Sequence, residues 1–207
     1  PNEEDPEGEP EIAVDLNTKD ERGCTPLIWA ARNGHVEVVH YLVTHGADVN
    51  TVSFGGMTPL HHACNTANEG CVAKLLEDGA DGNSADDAGN SPLHYAVARG
   101  VLNIVVRLTD AGGDVSGTNK AGVGLIAKAT TFGQAAVVRK LIDLGADAMS
   151  TDNDGNSPLH IAARCGFKNI VGILKKNGAT EAKNSEGNLP SDVAMNKDIE
   201  AALKADE

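Results

Sequence analysis

The stretch Ser91-Pro92-Leu93-His94-Tyr95-Ala96 decides the fold, because copies of it recur along the chain at a fixed interval. Related stretches begin at Thr25, Thr58 and Ser157, all in one 33-residue register. The copy due between Ser91 and Ser157 is Gly124-Leu125-Ile126, which lacks both the hydroxyl residue and the proline. A repeat of this length predicts an array of small, similar units. A glycine column keeps the same interval: Gly46, Gly79, Gly112, Gly145 and Gly178.

Each unit is predicted to form two short antiparallel helices. A Thr or Ser before Pro favours a helix start, since the hydroxyl caps an orphan amide and proline suits the first helical position. A mid-unit glycine such as Gly100 then ends the first helix. The second helix carries three apolar positions on one face, which predicts that neighbouring units stack. These columns are Val38, Cys71, Ile104, Val137, Ile170; Val39, Val72, Val105, Val138, Val171; and Leu42, Leu75, Leu108, Leu141, Leu174.

These motifs carry a family resemblance. Residues 58–63, 91–96 and 157–162 resemble the ankyrin-repeat signature, and Gly46-Ala47-Asp48-Val49-Asn50 is similar to the turn between ankyrin units. The resemblance covers roughly residues 14–207. It implies an all-α repeat solenoid of stacked helix-turn-helix units with β-hairpin-like fingers, whose fingers and first helices line a concave side.

The repeats predict one ankyrin-repeat domain over residues 13–207, with a shorter capping unit at 184–207. Residues 14–17 match the tail of a preceding unit. Residues 1–12 hold three prolines and six acids but no basic residue, which predicts a disordered acidic leader. The chain opens on Pro1, and we expect it to be a fragment of a longer protein. The five full units are expected at about 20–52, 53–85, 86–118, 119–151 and 152–183.

Composition excludes several classes of protein. The 207 residues carry 17 basic and 30 acidic side chains, for a net charge of −13, which argues against a binder of nucleic-acid phosphates. Aromatic residues make up only 3 %, fewer than a barrel or sandwich core favours. No apolar run approaches the ~20 residues of a membrane span. We therefore expect a soluble monomer of the cytoplasm or nucleus, without nucleic-acid partners or membrane insertion.

Histidines invite a metal or catalytic interpretation, which the repeat disfavours. His61, His94 and His160 share one place in the signature, and the resemblance implies that this imidazole is a structural tie. The segment Ser150–Gly155 is similar to the start of a calcium loop, but its twelfth position is Ile161 rather than the required Glu. We predict no metal site, no cofactor and no catalytic residue.

The cysteines fit the same interpretation. Cys64 and Cys71 fall in columns of apolar residues, where a free thiol packs as a small hydrophobe. A zinc site would need convergent ligands in closely spaced pairs. Cys24 and Cys165 are expected nearer surface turns.

Variable positions within the repeating framework predict the binding surface. They carry aromatic and basic residues, and interface hot spots favour Trp, Tyr and Arg. Whether Trp29 and Tyr95 are exposed anchors or pack between first helices is left open by the sequence. The candidate partner-binding residues are Trp29, Arg32, Asn33, Phe54, Met57, His62, Asn65, Tyr95, Arg99, Lys128 and Phe132.

The sequence therefore predicts a non-enzymatic module that binds a protein or peptide through the concave face of fingers and first helices. The alternative is a regulatory or targeting domain of a larger enzyme or signalling protein, with its catalytic part outside this chain. The unit around Gly124 is expected to be a weak joint. Asn50 resembles asparagine hydroxylation sites of ankyrin-repeat proteins, although a turn asparagine bonded within its own loop is favoured.

Overall fold

The computed structural model describes residues 15–205, which form eleven α-helices. The predicted acidic leader at 1–12 lies outside the described residues. The first ten helices form five pairs whose starts repeat every 33 residues. Their bounds are α1 Pro26–Asn33, α2 Val36–Thr44, α3 Pro59–Asn65, α4 Glu69–Glu77, α5 Pro92–Arg99, α6 Leu102–Asp110, α7 Leu125–Thr131, α8 Ala135–Asp143, α9 Pro158–Cys165, α10 Lys168–Lys176 and α11 Lys197–Lys204.

The helices lie in two layers. The first helices α1, α3, α5, α7 and α9 pack side by side in one layer, and the second helices α2, α4, α6, α8 and α10 form the other. The Leu and Ala positions of the first helices and the three apolar columns of the second helices are buried between the layers and between units. The predicted all-α repeat solenoid is thereby confirmed.

One member of the apolar columns departs from the prediction. Val38 is 45 % exposed, whereas Cys71 and Ile104 at the equivalent positions are buried. This column faces the preceding unit, and within residues 15–205 no helix pair precedes α1 and α2. The prediction that the whole column is buried is wrong for Val38, because a stacked unit covers its neighbour rather than itself.

Hairpin-like turns join the units and project as fingers. Each finger closes on itself, as where the Asp86 amide donates to the Asn90 carbonyl at 3.0 Å, and no extended strand forms within the described residues. Successive fingers are also linked, since the Lys120 amide donates to the Ala88 carbonyl at 3.0 Å. Gly89 makes this approach possible: it has φ +81°, and a Cβ there would lie 2.7 Å from the Lys120 nitrogen.

Two kinds of polar tie connect neighbouring units. In the first, a signature histidine reaches the next unit. The Thr58 amide donates to Nδ1 of His61, so the ring proton is on Nε2. This Nε2–H donates to the Asn90 carbonyl of the next unit at 3.0 Å. In the second, an asparagine in the loop between units accepts from the next loop, as where the Asp81 amide donates to Asn50 Oδ1 at 2.9 Å. The side chain of Asn50 is therefore occupied within the scaffold.

The unit around Gly124 misses one tie on each side, although the His94 ring of the preceding unit still bonds the Val123 carbonyl at 3.3 Å. Gly124 caps α7 without a side chain, and Ala127 stands where the signature has histidine. Ser116 occupies the asparagine position of the preceding loop, and a cavity of about 270 Å³ opens beside it and Gly124. In addition, the Thr130 hydroxyl is buried and finds no hydrogen-bond partner among the described residues. A buried unsatisfied hydroxyl costs about 1–3 kcal/mol.

The C-terminal unit has a shorter form. Residues 190–193 make a turn where the other units have a first helix, and α11 packs against α10. Asn196 caps α11 by accepting the Ile199 amide at 3.0 Å, and Lys175 donates to the Leu203 carbonyl at 2.7 Å. Between residues 15 and 205, no helix combines the length and the apolarity that crossing a bilayer requires.

We predict that the unit around Gly124 opens more readily than the second unit. Amides in residues 124–144 are expected to exchange hydrogen with an opening free energy at least about 1 kcal/mol below those in residues 58–79, since two ties are missing and one hydroxyl is unsatisfied. Hydrogen exchange followed by mass spectrometry measures both segments in one sample. Equal or greater protection in residues 124–144 contradicts the weak joint.

Candidate partner-binding face

The finger face comprises the finger turns between residues 20 and 188 and the outward side of α1, α3, α5, α7 and α9. Three first helices are tied to their own fingers by a side chain that reaches back nine residues, so helix and finger share one surface. The pairs are Trp29 Nε1 to Asp20 Oδ2 (2.8 Å), His62 Nε2 with Ser53 Oγ (3.0 Å) and Tyr95 Oη to Asp86 Oδ2 (2.6 Å).

Tyr95 is built into the scaffold. Its ring is half-buried and meets the His61 ring edge-on, with centroids 5.8 Å apart, across the boundary between units. Burial and the hydrogen bond to Asp86 raise the pKa of the Tyr95 phenol. Burial alone would raise the pKa of Asp86, but bonds from Tyr95 and Asn90 outweigh it, and the pKa of this carboxyl is lowered. Tyr95 thus packs between first helices.

Trp29 is half-buried and held at one edge. Its indole N–H donates to Asp20, and this bond is the main cause of the lowered pKa of the Asp20 carboxyl. The Arg32 guanidinium lies over the ring at 5.2 Å from the centroid, and Asn33 donates to the Trp29 carbonyl at 2.8 Å. Arg32 and Asn33 themselves are exposed. The part of Trp29 left accessible is therefore covered by a cation.

His62 is half-buried beside Ser53, and Met57 in the same finger is half-buried too. Burial, with a smaller contribution from the positive charge of Arg32, lowers the pKa of His62 to about 4. His62 is consequently neutral at pH 7 and acts on this face as a hydrogen-bonding group rather than as a charge.

Phe54 and Phe132 are the exposed aromatic side chains of the finger face. Phe54, at a finger tip before α3, is 75 % exposed, and Phe132, directly after α7, is 53 % exposed. The Lys128 ammonium lies 5.8 Å from the Phe132 ring centroid. Neither ring is tied to a neighbouring unit by the kind of bond that holds Tyr95, so both are available to a partner.

Polar candidates on neighbouring helices meet directly in one case. Arg99 Nη2 on α5 donates to Asn65 Oδ1 on α3 at 3.0 Å, which joins two units across the face. The residues that anchor Trp29, His62 and Tyr95 are not among those predicted from the sequence. The sequence does contain a pattern that could have identified these anchors. Each anchor lies nine residues before the side chain that it bonds, at the same position of the repeat. The anchors are Asp20, Ser53 and Asp86.

The cysteines lie in the scaffold. Cys24 is 5 % exposed, so the expectation that it lies at the surface is wrong: the finger base folds over it, and its amide donates to Asp20 Oδ1 at 2.8 Å. Cys64 and Cys71 are buried, and burial raises the pKa of both thiols. Among residues 15–205, no three His, Cys, Asp or Glu side chains are grouped so as to hold a metal ion.

Comparison with known families matches the chain to "Ankyrin repeats (3 copies)" over residues 9–86, 52–119 and 125–204. The chain belongs to the ankyrin-repeat family. Among solved structures it is similar to the ankyrin repeat domain of Bcl-3, described as a unique member of the IkappaB protein family, with 27 % identity and a TM-score of 0.83. It is also similar to the human ASB11 ankyrin repeat domain, with 30 % identity and a TM-score of 0.85. Each comparison covers 92 % of this chain and 86 % of the other.

We predict that His62 makes stability depend on pH. Its pKa is about 4 when folded and about 6.5 when unfolded, so below pH 6.5 the unfolded chain binds a proton that the folded chain does not. Stability from this group is complete above pH 6.5 and is lost as the pH falls towards 4. When the pH falls from 7 to 5, the free energy of unfolding of the unchanged protein is expected to drop by about 1–2 kcal/mol more than that of the His62→Gln variant. Urea unfolding at both pH values measures this, and identical losses contradict it.

We also predict that Tyr95→Phe lowers the free energy of unfolding by about 1.5–3 kcal/mol, because the buried Asp86 carboxylate loses a hydrogen-bond donor. Tyr41→Phe is the matched control: Tyr41 is 58 % exposed, and its loss of a hydroxyl is expected to change stability by less than about 0.5 kcal/mol. Denaturant unfolding of the three proteins gives the comparison. If both variants lose equally little, Tyr95 is not tied into the scaffold.

Proposed function

We propose that this protein is a non-enzymatic binding module that holds a protein or peptide partner on the finger face. Ankyrin repeats are generally protein–protein interaction modules, and the family is generally non-catalytic. The observation that carries the proposal is the exposure of Phe54 and Phe132 on this face, in a chain with only six aromatic residues. Large exposed aromatic rings are typical of binding surfaces, where they become interface anchors.

We divide the candidate residues between two roles according to their contacts. Trp29, His62 and Tyr95 are occupied by bonds to their own fingers, so we assign them to shaping the face. Phe54 and Phe132 remain as aromatic anchors. They bracket the three first helices α3, α5 and α7, since Phe54 precedes α3 and Phe132 follows α7. The partner therefore crosses at least three units, α3 to α7.

The test compares two double variants with the unchanged chain. Phe54→Ala/Phe132→Ala is expected to weaken partner binding by about 2 kcal/mol or more, roughly 30-fold, because hot-spot aromatic rings contribute on this scale. Val38→Ala/Tyr41→Ala removes exposed apolar groups of similar kind from α2, in the other layer, and is expected to leave binding unchanged.

The measurement is quantitative affinity capture with all three proteins, followed by titration of the captured partner. Circular dichroism and thermal unfolding confirm that each variant is folded. A partner whose affinity survives the loss of both phenylalanines, or falls equally with the α2 variant, does not bind the finger face.

A further inference from the structure

We infer that the partner segment on the finger face is acidic, an Asp- and Glu-rich stretch of protein carrying one or two large apolar side chains. This inference rests on the proposed function and adds the chemistry of the partner. It comes from the distribution of charge between the two helix layers.

The first helices carry only basic charge. The five segments of this layer contain four basic residues and no Asp or Glu, although the chain as a whole has a net charge of −13. The second helices mix both signs; their acids are Glu37, Glu69, Glu77, Asp110 and Asp143. A basic residue in the last turn favours a helix terminus in either layer, so helix stability does not explain why only one layer excludes acids.

These basic groups are not neutralised by the protein itself. Among the described residues, none of the four has a carboxylate oxygen within the 4.0 Å of an ion pair. Arg32 lies over Trp29, Arg99 donates to Asn65, and Lys128 lies near Phe132. Their contacts are thus aromatic or neutral, which leaves three positive charges for a partner.

The basic strip, which consists of Arg32, Arg99 and Lys128 on the first helices, has definite ends and borders. Arg164, the fourth basic residue, lines a pocket together with Asp154 and Glu186, and we therefore take Arg32, Arg99 and Lys128 as the charges that face a partner. The finger tips beside the strip are mixed, with Glu21 and Asp87 among their exposed acids and Arg22 and Lys120 among their bases. These tips favour a partner that crosses the row of first helices rather than the row of finger tips.

The dimensions suit a short extended segment. Packed helices lie about 8–10 Å apart, so α1 to α7 spans roughly 30 Å, which about nine extended residues can cover. Arg32, Arg99 and Lys128 would face acidic side chains of such a segment. Phe54 and Phe132 would face its apolar ones. Complementary charge of this kind sets specificity and the rate of association more than total affinity.

Selection from a phage-displayed library of random peptides about twelve residues long, on the immobilised full chain, tests the inference. We expect enriched peptides to be rich in Asp and Glu around large apolar residues. Raising the ionic strength from about 0.05 M to about 0.5 M is expected to weaken their binding. Arg32→Glu/Arg99→Glu/Lys128→Glu is expected to weaken it about 10-fold or more.

The matched control is Arg107→Glu/Lys140→Glu/Lys176→Glu. It makes the same charge change in the last turns of the second helices α6, α8 and α10, and it is expected to leave peptide affinity within about threefold. Circular dichroism and thermal unfolding establish that both triple variants fold. The glutamine versions of the first-helix changes remove charge without reversing it, and they should weaken binding in the same direction.

Failure of this inference and failure of the proposed function give different results. Neutral or basic peptides that lose affinity in Phe54→Ala/Phe132→Ala refute an acidic partner while keeping the finger face as the binding site. The same holds for a single-stranded oligonucleotide that binds more tightly than the peptides at equal salt. If the affinity of the selected peptides is unchanged by both the phenylalanine and the first-helix substitutions, both proposals are overturned. A selection that enriches no peptide has the same consequence.

Discussion

The structure depends on burial of apolar surface between units. A pair of helices with seven to nine residues each cannot enclose its own apolar face, so each unit is completed by the next. Val38 shows the rule by exception: it occupies a position that is buried in the following units and is 45 % exposed where no described unit covers it. The ties between units and the row of fingers follow from this stacking.

Polar groups set the register of the stack. The signature histidine gives one ring nitrogen to its own helix start and the other to the next unit, and the loop asparagine joins successive loops. Hydrogen bonds of this kind contribute only about 0.5–1.5 kcal/mol each, but they fix where each unit sits on its neighbour. Two of these bonds are missing around Gly124, yet the fold is the same there, since the apolar columns continue through α7 and α8.

The two layers differ in the charges that they carry. The second helices hold mixed charges, whereas the first helices have no acids and present aromatic and basic groups beside the fingers. Because the scaffold positions recur in every unit, positions between them can vary without loss of stability. A family that repeats one framework can in this way support unrelated partners, and the partner's chemistry depends on the residues that do not repeat.

The sequence by itself determined the 33-residue period, the two helices per unit and the apolar columns, because these depend on local spacing that stacking then reinforces. It did not determine which aromatic rings are free. In the sequence, Trp29, Tyr95 and Phe132 are alike, since each stands at a position that varies between repeats. Only the packing shows that Trp29 and Tyr95 are bonded to Asp20 and Asp86, whereas Phe132 is exposed. Exposure depends on contacts between elements far apart in the chain or in neighbouring units, and the burial of Cys24 was misjudged for the same reason. The tertiary structure decided those positions, since a side chain is covered or left free only once the units are in place.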